Sequence, residues 1–401
     1  MKFNIWNFPK KPLPDVLSFV VDNRGKTVPT AKSGHMLIAT NCVRNENLYP
    51  SYEKVRYLSE DTYQNWFRAH PVPGDILFVC KGTPGRTCMV PDPIDFCIAQ
   101  DMVALRVNPQ IIYNKYLLTV LRSKRIQKQI EQTSVGDVIP HFKKSFFDQI
   151  LIPVPPMHIQ QIIGDFYFAF SNKVELNKRI NNNLLEQVLT LYRNRFVDTA
   201  NNERRICRAD EYFDISIGKT PPRKEPQWFS TNPQDVTWVS ISDMGTCGLY
   251  ISSSSEQLTK EAVDRHNVKI VPDNTVLLSF KLTVGRIAIT NGEMTTNEAI
   301  AHFKTDKKEI NEYLYCYLKC FNYQTMGSTS SIATAVNSKI IKGMPFVVPT
   351  DDELIDFHSV AAPMFAKIKA NQTESEKLTA VRDTLLPKLM SGELDVSDID
   401  L

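Results

Sequence analysis

The residues of this chain whose types and spacing invite chemistry are its clustered lysines and arginines, and the chemistry they invite is phosphate binding. Two Gly-Lys-Thr triplets occur, Gly25-Lys26-Thr27 and Gly218-Lys219-Thr220. A nucleotide-binding phosphate loop needs another glycine five residues before the Gly-Lys, where this chain has Val20 and Phe213, so neither triplet can build the required nest of backbone amides. Two longer runs, Lys81 to Arg86 and Lys281 to Arg286, share the pattern Lys-x-Thr-x-Gly-Arg. Further basic residues gather around them, including Arg24, Arg44, Lys143 and Lys144 in the first half and Arg223, Lys339 and Lys342 in the second. Taken singly, each is an ordinary solvated charge or a phosphate contact, and spacing alone does not decide which.

Other chemistries lack their residues. His35, His70, His141, His158, His266, His302 and His358 are scattered without metal-ligand spacing, and no Gly-x-Ser-x-Gly elbow is present. The dipeptides Asn108-Pro109 and Asn232-Pro233 are each followed by Gln, which does not resemble a methyltransferase catalytic motif. Asp92 and Asp95 lie close together, but no Glu-x-Lys follows at a nuclease-like spacing. The eight cysteines form no CxxC pair, so buried free thiols are expected rather than zinc or disulfides. The chain therefore reads as a binding protein that uses no cofactor and no metal of its own.

At 401 residues the chain is long enough for two or more domains. Its composition, 42% hydrophobic and 23% charged, is that of a folded protein, and a net charge of +3 means that any basic surface is a local patch. No run approaches a membrane span, and the opening MKFNIWNFPKKPLP lacks a secretory apolar core, so a cytoplasmic location is expected.

The elements that must position these residues recur. Ile76 to Arg86 (ILFVCKGTPGR) matches Val276 to Arg286 (VLLSFKLTVGR), each an apolar strand running into a turn in which Gly85 or Gly285 takes positive φ. Tyr116-Leu117-Leu118 matches Tyr313-Leu314-Tyr315, each opening a short amphipathic helix. Lys143 and Lys339 each lie ten residues before a proline, Pro153 and Pro349, with a strand-like stretch between. With the Gly-Lys-Thr triplets, these anchors divide the chain into two similar halves, each a globular part followed by a long helix.

Within residues 151–196, every seventh position gives Ile163, Phe170, Asn177, Leu184 and Leu191. A shift of 194 positions gives Phe357, Met364, Asn371, Leu378 and Leu385, with a lone Asn again in the middle. Each frame predicts a long amphipathic helix, and the two seams suit antiparallel pairing. In such a pair Asn177 and Asn371 either meet and fix register or face solvent or a bound subunit. Pro153, Pro155 and Pro156 impose an extended approach to the first helix. Pro363 predicts a kink or a separate short helix early in the second, and Pro387 with Gly392 predicts its end.

With these residues in view, the chain resembles the specificity subunits of type I restriction-modification systems. The carrying stretches are LIPVPPMHIQQ (151–161), KVELNKRINNNLLE (173–186) and VRDTLLPKLMSGELDV (381–396). The resemblance implies an α+β chain with an internal pseudo-twofold repeat: two mixed α/β target-recognition domains separated by two long helices packed as an antiparallel coiled coil. The expected boundaries are 1–153 and 199–349 for the recognition domains, 154–198 and 350–392 for the helical spacers, and 393–401 for an acidic tail. It further implies a non-catalytic subunit that binds double-stranded DNA, each domain reading one half of a bipartite asymmetric site. Two methyltransferase (modification) subunits would dock on the helices, which also set the spacing, and ATP-dependent restriction subunits would join them. S-adenosylmethionine and ATP would belong to those partners.

On this reading the candidate DNA contacts are Arg24, Lys26, Thr27, Arg44, Lys81, Arg86 and Lys143 in the first domain. In the second they are Lys219, Thr220, Arg223, Ser242, Lys281, Arg286 and Lys339. Residues common to both halves cannot read two different half-sites, so the shared motifs are expected to serve the fold or the phosphates. Specificity is expected where the halves differ: residues 35–47 against 240–246, and the turn at Gln100 against that at Asn297. Two other classes compete. A duplicated interaction scaffold would show no bipartite DNA footprint, and an enzyme in its own right would act on DNA without partners.

Overall fold

The strand Ile76–Val79 shows how the first half is built. All four residues are buried, because alternate side chains feed two cores. Ile76 and Phe78 join the core that includes Tyr116, Leu117 and Ile163, while Leu77 and Val79 join one that includes Ile38, Val90 and Met102. Its counterpart Val276–Ser279 does the same, with Val276 and Leu278 in one core and Leu277 in another. The computed structural model describes residues 3–23, 25–134, 140–199, 204–326 and 337–394. The expected contacts at Arg24 and most of the acidic tail lie outside the described residues.

The chain forms two compact units, Met1–Leu176 with Ser375–Leu401, and Asn177–Glu374. In the first, an antiparallel sheet runs in the order Leu17–Val21, Met102–Val107, Ile76–Val79, Thr87–Met89. A smaller sheet places His35–Ile38 between Arg56–Leu58 and Phe96–Ile98. Lys10–Pro12 pairs with Leu151–Pro153, and helices Asn114–Leu121 and Lys124–Thr133 cover the main sheet's core. The second unit repeats this plan. Its main sheet runs Asp214–Ile217, Ile300–Lys304, Val276–Ser279, Ile287–Thr290 and adds Tyr250–Ile251 at the edge. Its smaller sheet sets Val236–Val239 between Glu256–Leu258 and Thr295–Thr296, and Ile206–Arg208 pairs with Pro345–Val347.

The long helices are Met157–Tyr192 and Asp351–Ser391, and each unit contains part of both. Within each unit the two segments run antiparallel. In the first unit Leu389 and Met390 pack into the core holding Ile163 and Tyr167, and Arg382 donates from Nη1 to Ser171 Oγ at 3.0 Å. In the second unit Val188, Leu189 and Tyr192 share a core with Phe357, Ala361, Phe365 and Ile368. Ile163 and Phe357 are fully buried, while Phe170, Leu184, Leu191, Met364, Leu378 and Leu385 are half-buried. The packed stripe is thus wider than a one-in-seven seam, since each helix serves a globular core as well as its helical neighbour.

Asn177 and Asn371 are both buried and bonded within the second unit. Asn177 Nδ2 donates to Glu374 Oε2 at 2.7 Å, and Asn371 Nδ2 donates to Asn181 Oδ1 at 2.8 Å. Such buried polar contacts hold one register, because a slip would strand the two amides.

Two expectations for the second helix are corrected. Pro363 neither interrupts it nor splits off a short helix: the element is continuous from Asp351 to Ser391. The ring is exposed, and Phe357, Ala361 and Phe365 on the opposite side are buried in the core, so packing outweighs the lost backbone bond. Pro387 likewise lies inside the helix. The stop is Gly392, at φ +77, beyond which the Glu393 amide turns back to the Lys388 carbonyl at 2.9 Å. The helix begins on a reciprocal cap: Thr350 N donates to Glu353 Oε2 at 3.0 Å and Glu353 N to Thr350 Oγ1 at 3.2 Å. This replaces the proline approach of the first helix.

A buried histidine makes the second unit sensitive to acid. His302 lies between the Ser216 hydroxyl at 3.0 Å and the Thr296 hydroxyl at 2.7 Å. Burial, helped by the Lys304 charge, pushes its pKa down to about 3. The unfolded chain protonates this group near pH 6.5 and the folded chain does not, so its contribution is complete above that pH and is lost as pH falls toward 3. Between pH 7 and pH 5 the unit should lose about 2 kcal/mol from this group. Denaturant melts of wild type and His302→Gln at both pH values check it; an equal acid slope in the variant would remove His302 as the cause.

Candidate nucleic-acid interface

The strand pair Ile76–Val79 and Thr87–Met89 presents Lys81 at its turn, and the pair Val276–Ser279 and Ile287–Thr290 presents Lys281 at the same place. Register confirms the match: Val79 lies opposite Met102 and Ser279 opposite Ile300. Both lysines are exposed, and Gly85 and Gly285 hold the turns at φ +87° and +90°. In the first unit Lys81 forms a backbone bridge with His141. Gly25, Gln100 and His141 line one cleft with Lys81, together with the carboxylates Asp22 and Asp101. The cleft mixes donors with acceptors, which suits polar base edges better than a uniform cation surface would. Lys26 and Thr27 are exposed beside Gly25, Arg86 is half-buried, and Lys143 is exposed with its ammonium 6.0 Å from the Phe146 ring.

In the second unit several of the candidate residues are engaged internally. The Lys219 ammonium donates to the His266 carbonyl at 2.6 Å. The Arg223 fork grips Glu256 at 3.0 and 2.9 Å and lies over Phe229 and Trp238, at 4.1 and 4.7 Å from their ring centres. Thr220 donates its hydroxyl to Glu298. Burial pushes the Glu298 carboxyl up, but the Thr220 bond, its own backbone amide and the Lys281 and Arg223 charges outweigh this and hold it below the usual range. Arg286 Nη1 donates to the Ile241 carbonyl at 2.6 Å, steadying the short helix Ile241–Thr246 that Ser240 and Asp243 cap reciprocally. Ser242 on that helix is exposed, as are Lys281 and Lys339. In the first unit Arg44 pairs with Glu53 at 2.8 Å.

Two of the three lysine matches do not survive the register. Val21 lies opposite Ala104 and Ser216 opposite His302, which makes Asn23, not Gly25, the counterpart of Gly218. The triplets look alike but do different work: Gly25 has φ +115° with open space around it, whereas Gly218 is pressed against Thr296 and Asn297. The counterpart of Lys143 is Asn337, since Pro153 and Val347 occupy equivalent strand ends and both residues cap a short helix. By the same register the counterpart of Gln100 is Glu298, one residue beyond Asn297.

The segments expected to differ occupy equivalent places. Residues 35–47 run from the strand His35–Ile38 into the short helix Thr40–Cys42, and 240–246 leave the strand Val236–Val239 for Ile241–Thr246. His35 is half-exposed, stacked on Tyr63 with 4.0 Å between centres and bonded to Glu60 at 2.6 Å. Sequence reading missed Arg122, which braces the loop after Cys42: its Nη2 donates to the Asn47 and Thr87 carbonyls and its Nη1 to the Tyr167 hydroxyl. Nothing in the local pattern marks it, because its partners come from three separate stretches.

Among the described residues, no group of three or more His, Cys, Asp or Glu is placed to hold a metal ion. Burial pushes the Cys88 and Cys97 thiols up to about 11 and about 12, which makes them poor nucleophiles. No helix among the described residues is long and apolar enough to cross a membrane.

Comparison with known proteins gives these units a family. The chain is 25% identical to the type I restriction enzyme MjaIX specificity subunit of Methanocaldococcus jannaschii, over 72% of this chain and 71% of that one. It is 21% identical to the HindI specificity subunit of Haemophilus influenzae, over 80% and 86% of the two chains. The S subunit of a type I restriction-modification system from M. genitalium shares its fold, with a TM-score of 0.52, 16% identity and 96% of each chain covered. Residues 26–186 and 205–379 both match the type I restriction modification DNA specificity domain, so the chain belongs to that family and carries its domain twice.

Proposed function

We propose that each unit reads one half of a bipartite, asymmetric duplex DNA site on behalf of a type I restriction-modification complex. The observation that carries this is the pair of family domains whose in-register turns offer Lys81 and Lys281 to solvent beside segments that differ between the halves. The lysines suit sequence-independent phosphate contacts, and residues 35–47, 240–246, Gln100 and Glu298 suit base reading. The long helices join the two readers, set the number of unread base pairs between half-sites and dock two modification subunits. Those subunits supply methyl transfer, and ATP-dependent restriction subunits supply cleavage; this chain supplies the address.

Mapping methylated bases in DNA exposed to the full chain with its modification subunits tests the proposal. A bipartite site is expected, and exchanging the globular parts of the two halves should reverse the order of its half-sites. A single contiguous site, or none, would reject it.

The lysines have their own expected result. Lys81→Ala and Lys281→Ala should each weaken binding to specific and non-specific duplexes alike, and each should lower the slope of log affinity against log salt by about 1. Titrations across several salt concentrations check this, and an unchanged slope would remove the residue from the phosphate set.

A further inference from the structure

The turn between Val276–Ser279 and Ile287–Thr290 carries a feature that folding does not require. Leu282 at its tip is 99% exposed, and its backbone lies at φ +59°. The Thr283 amide donates to the Lys281 carbonyl at 2.6 Å, closing a three-residue turn with Leu282 at its apex. This is the strained, uncommon form of that turn. A leucine there is disfavoured twice, by its torsion and by the apolar side chain it gives to water. The equivalent residue in the first unit is Gly82, at φ +86°, for which neither penalty exists.

The surrounding structure holds the strained form in place. Ser279, fully buried, donates its hydroxyl to the Thr283 carbonyl at 2.6 Å and accepts the Arg286 amide at 3.0 Å. Its backbone bonds both Arg286, at 2.9 Å, and Gly285, at 3.0 Å. The first unit has Val79 at this position, with the two backbone bonds but no hydroxyl to add the others. A strained residue that its neighbours over-determine is a candidate for function. Its immediate neighbours in the chain, Lys281 and Thr283, are exposed and polar, so the leucine is flanked by groups that suit a nucleic-acid surface.

We propose that Leu282 is a specificity-determining residue of the second domain, making an apolar contact to a base in the half-site that this domain reads. Leucine has no donor or acceptor, so it recognises the apolar features of a duplex, a thymine methyl group or the face of a base at a flexible step. Lys281 beside it is positioned to hold the backbone. The inference rests on the proposed function and adds to it an asymmetry between the halves, because Gly82 offers no such contact.

The test uses the full chain with its modification subunits and a set of duplexes in which each base pair of the site is changed singly. Wild type should lose about 5- to 150-fold in affinity for a change at a read position. In Leu282→Gly the penalty should fall below about 2-fold at one position or one adjacent pair in the second domain's half-site. Every penalty in the other half-site should stay as in wild type. Glycine accepts the turn's torsion, so the variant's Tm should equal or exceed that of wild type, which separates lost contact from lost fold. Leu282→Met should retain most of the discrimination. Unchanged penalties in Leu282→Gly would overturn the proposal, as would weakened association with modification subunits and intact base penalties. A wild-type complex with no bipartite preference would overturn the functional reading itself, and this inference with it.

Discussion

Gly218→Ala is expected to destabilise the second unit by about 3 kcal/mol or more and to abolish reading of one half-site while leaving the other intact. A methyl group on Gly218 would fall inside the contact distance of the Thr296 hydroxyl and of the Thr296 and Asn297 carbonyls. Those groups cannot retreat cheaply. The Thr296 carbonyl accepts the Lys219 amide at 2.9 Å, its hydroxyl meets buried His302, and the Asn297 amide is bonded to the Val239 carbonyl at 2.9 Å. Relief of the clash therefore breaks the seam between the two sheets of the unit and takes from a buried imidazole one of its two hydroxyl partners. Gly25→Ala is the informative control, because there the space is open and only the torsion, at φ +115°, resists, at about 1–3 kcal/mol. Melting of both variants, with binding to duplexes altered in either half-site, checks the contrast. Equal effects at the two glycines would mean that the triplets are equivalent after all.

That contrast marks where sequence reading reaches and where it stops. The apolar runs Ile76–Val79 and Val276–Ser279 were legible because a strand buried on both faces has a one-dimensional signature, and so was the turn that follows. The long helices were legible because burial repeats along them, and the polar Asn177 and Asn371 stood out against that repeat. Helix ends were less so. Whether Pro363 breaks a helix depends on what the opposite face buries, and that face packs on strands and helices distant in the chain. The lysine matches show the same limit in the candidate interface. Lys81 and Lys281 are tied to strands whose register is forced by burial, whereas Lys26, Lys219, Lys143 and Lys339 sit on loops and short helices whose lengths differ between the halves. Arg223 read as a free cation because it sits in a turn and its partner Glu256 lies on a strand of the smaller sheet, 33 residues further along the chain.

Arg122 is the residue for which sequence offered no signal and structure predicts a large effect. It ends the helix Asn114–Leu121 and reaches three stretches at once: Nε donates to Thr87 Oγ1 at 3.2 Å, Nη1 to the Tyr167 hydroxyl at 2.7 Å and Nη2 to the Asn47 carbonyl at 2.7 Å. Nη2 also meets the Thr87 carbonyl. The loop it braces is otherwise held to the strand Thr87–Met89 by the Thr87 amide on Asn45 Oδ1, at 2.9 Å, and the Met89 amide on the Leu48 carbonyl, at 2.9 Å. Replacing Arg122 by Met keeps much of the stem but strands the Thr87 carbonyl, leaves the fully buried Thr87 hydroxyl with its long bond to Asn45 Oδ1, at 3.4 Å, and leaves the Asn47 carbonyl with the weak Cys88 thiol donor at 3.6 Å. At about 1–3 kcal/mol for the stranded carbonyl and less for each of the two weakened groups, with incomplete additivity, the first unit should lose about 2–4 kcal/mol. Arg122→Lys should recover little, because a single ammonium cannot present a planar fork to acceptors on three sides. Residues 35–47 end on this loop, so discrimination in the first domain's half-site should fall while that in the second is kept. Amide exchange across Thr87–Met89 and binding to half-site duplexes measure the two effects separately. Fast exchange with intact discrimination would show that the brace serves stability alone, and a lysine variant indistinguishable from wild type would show that charge, not the fork, does the holding.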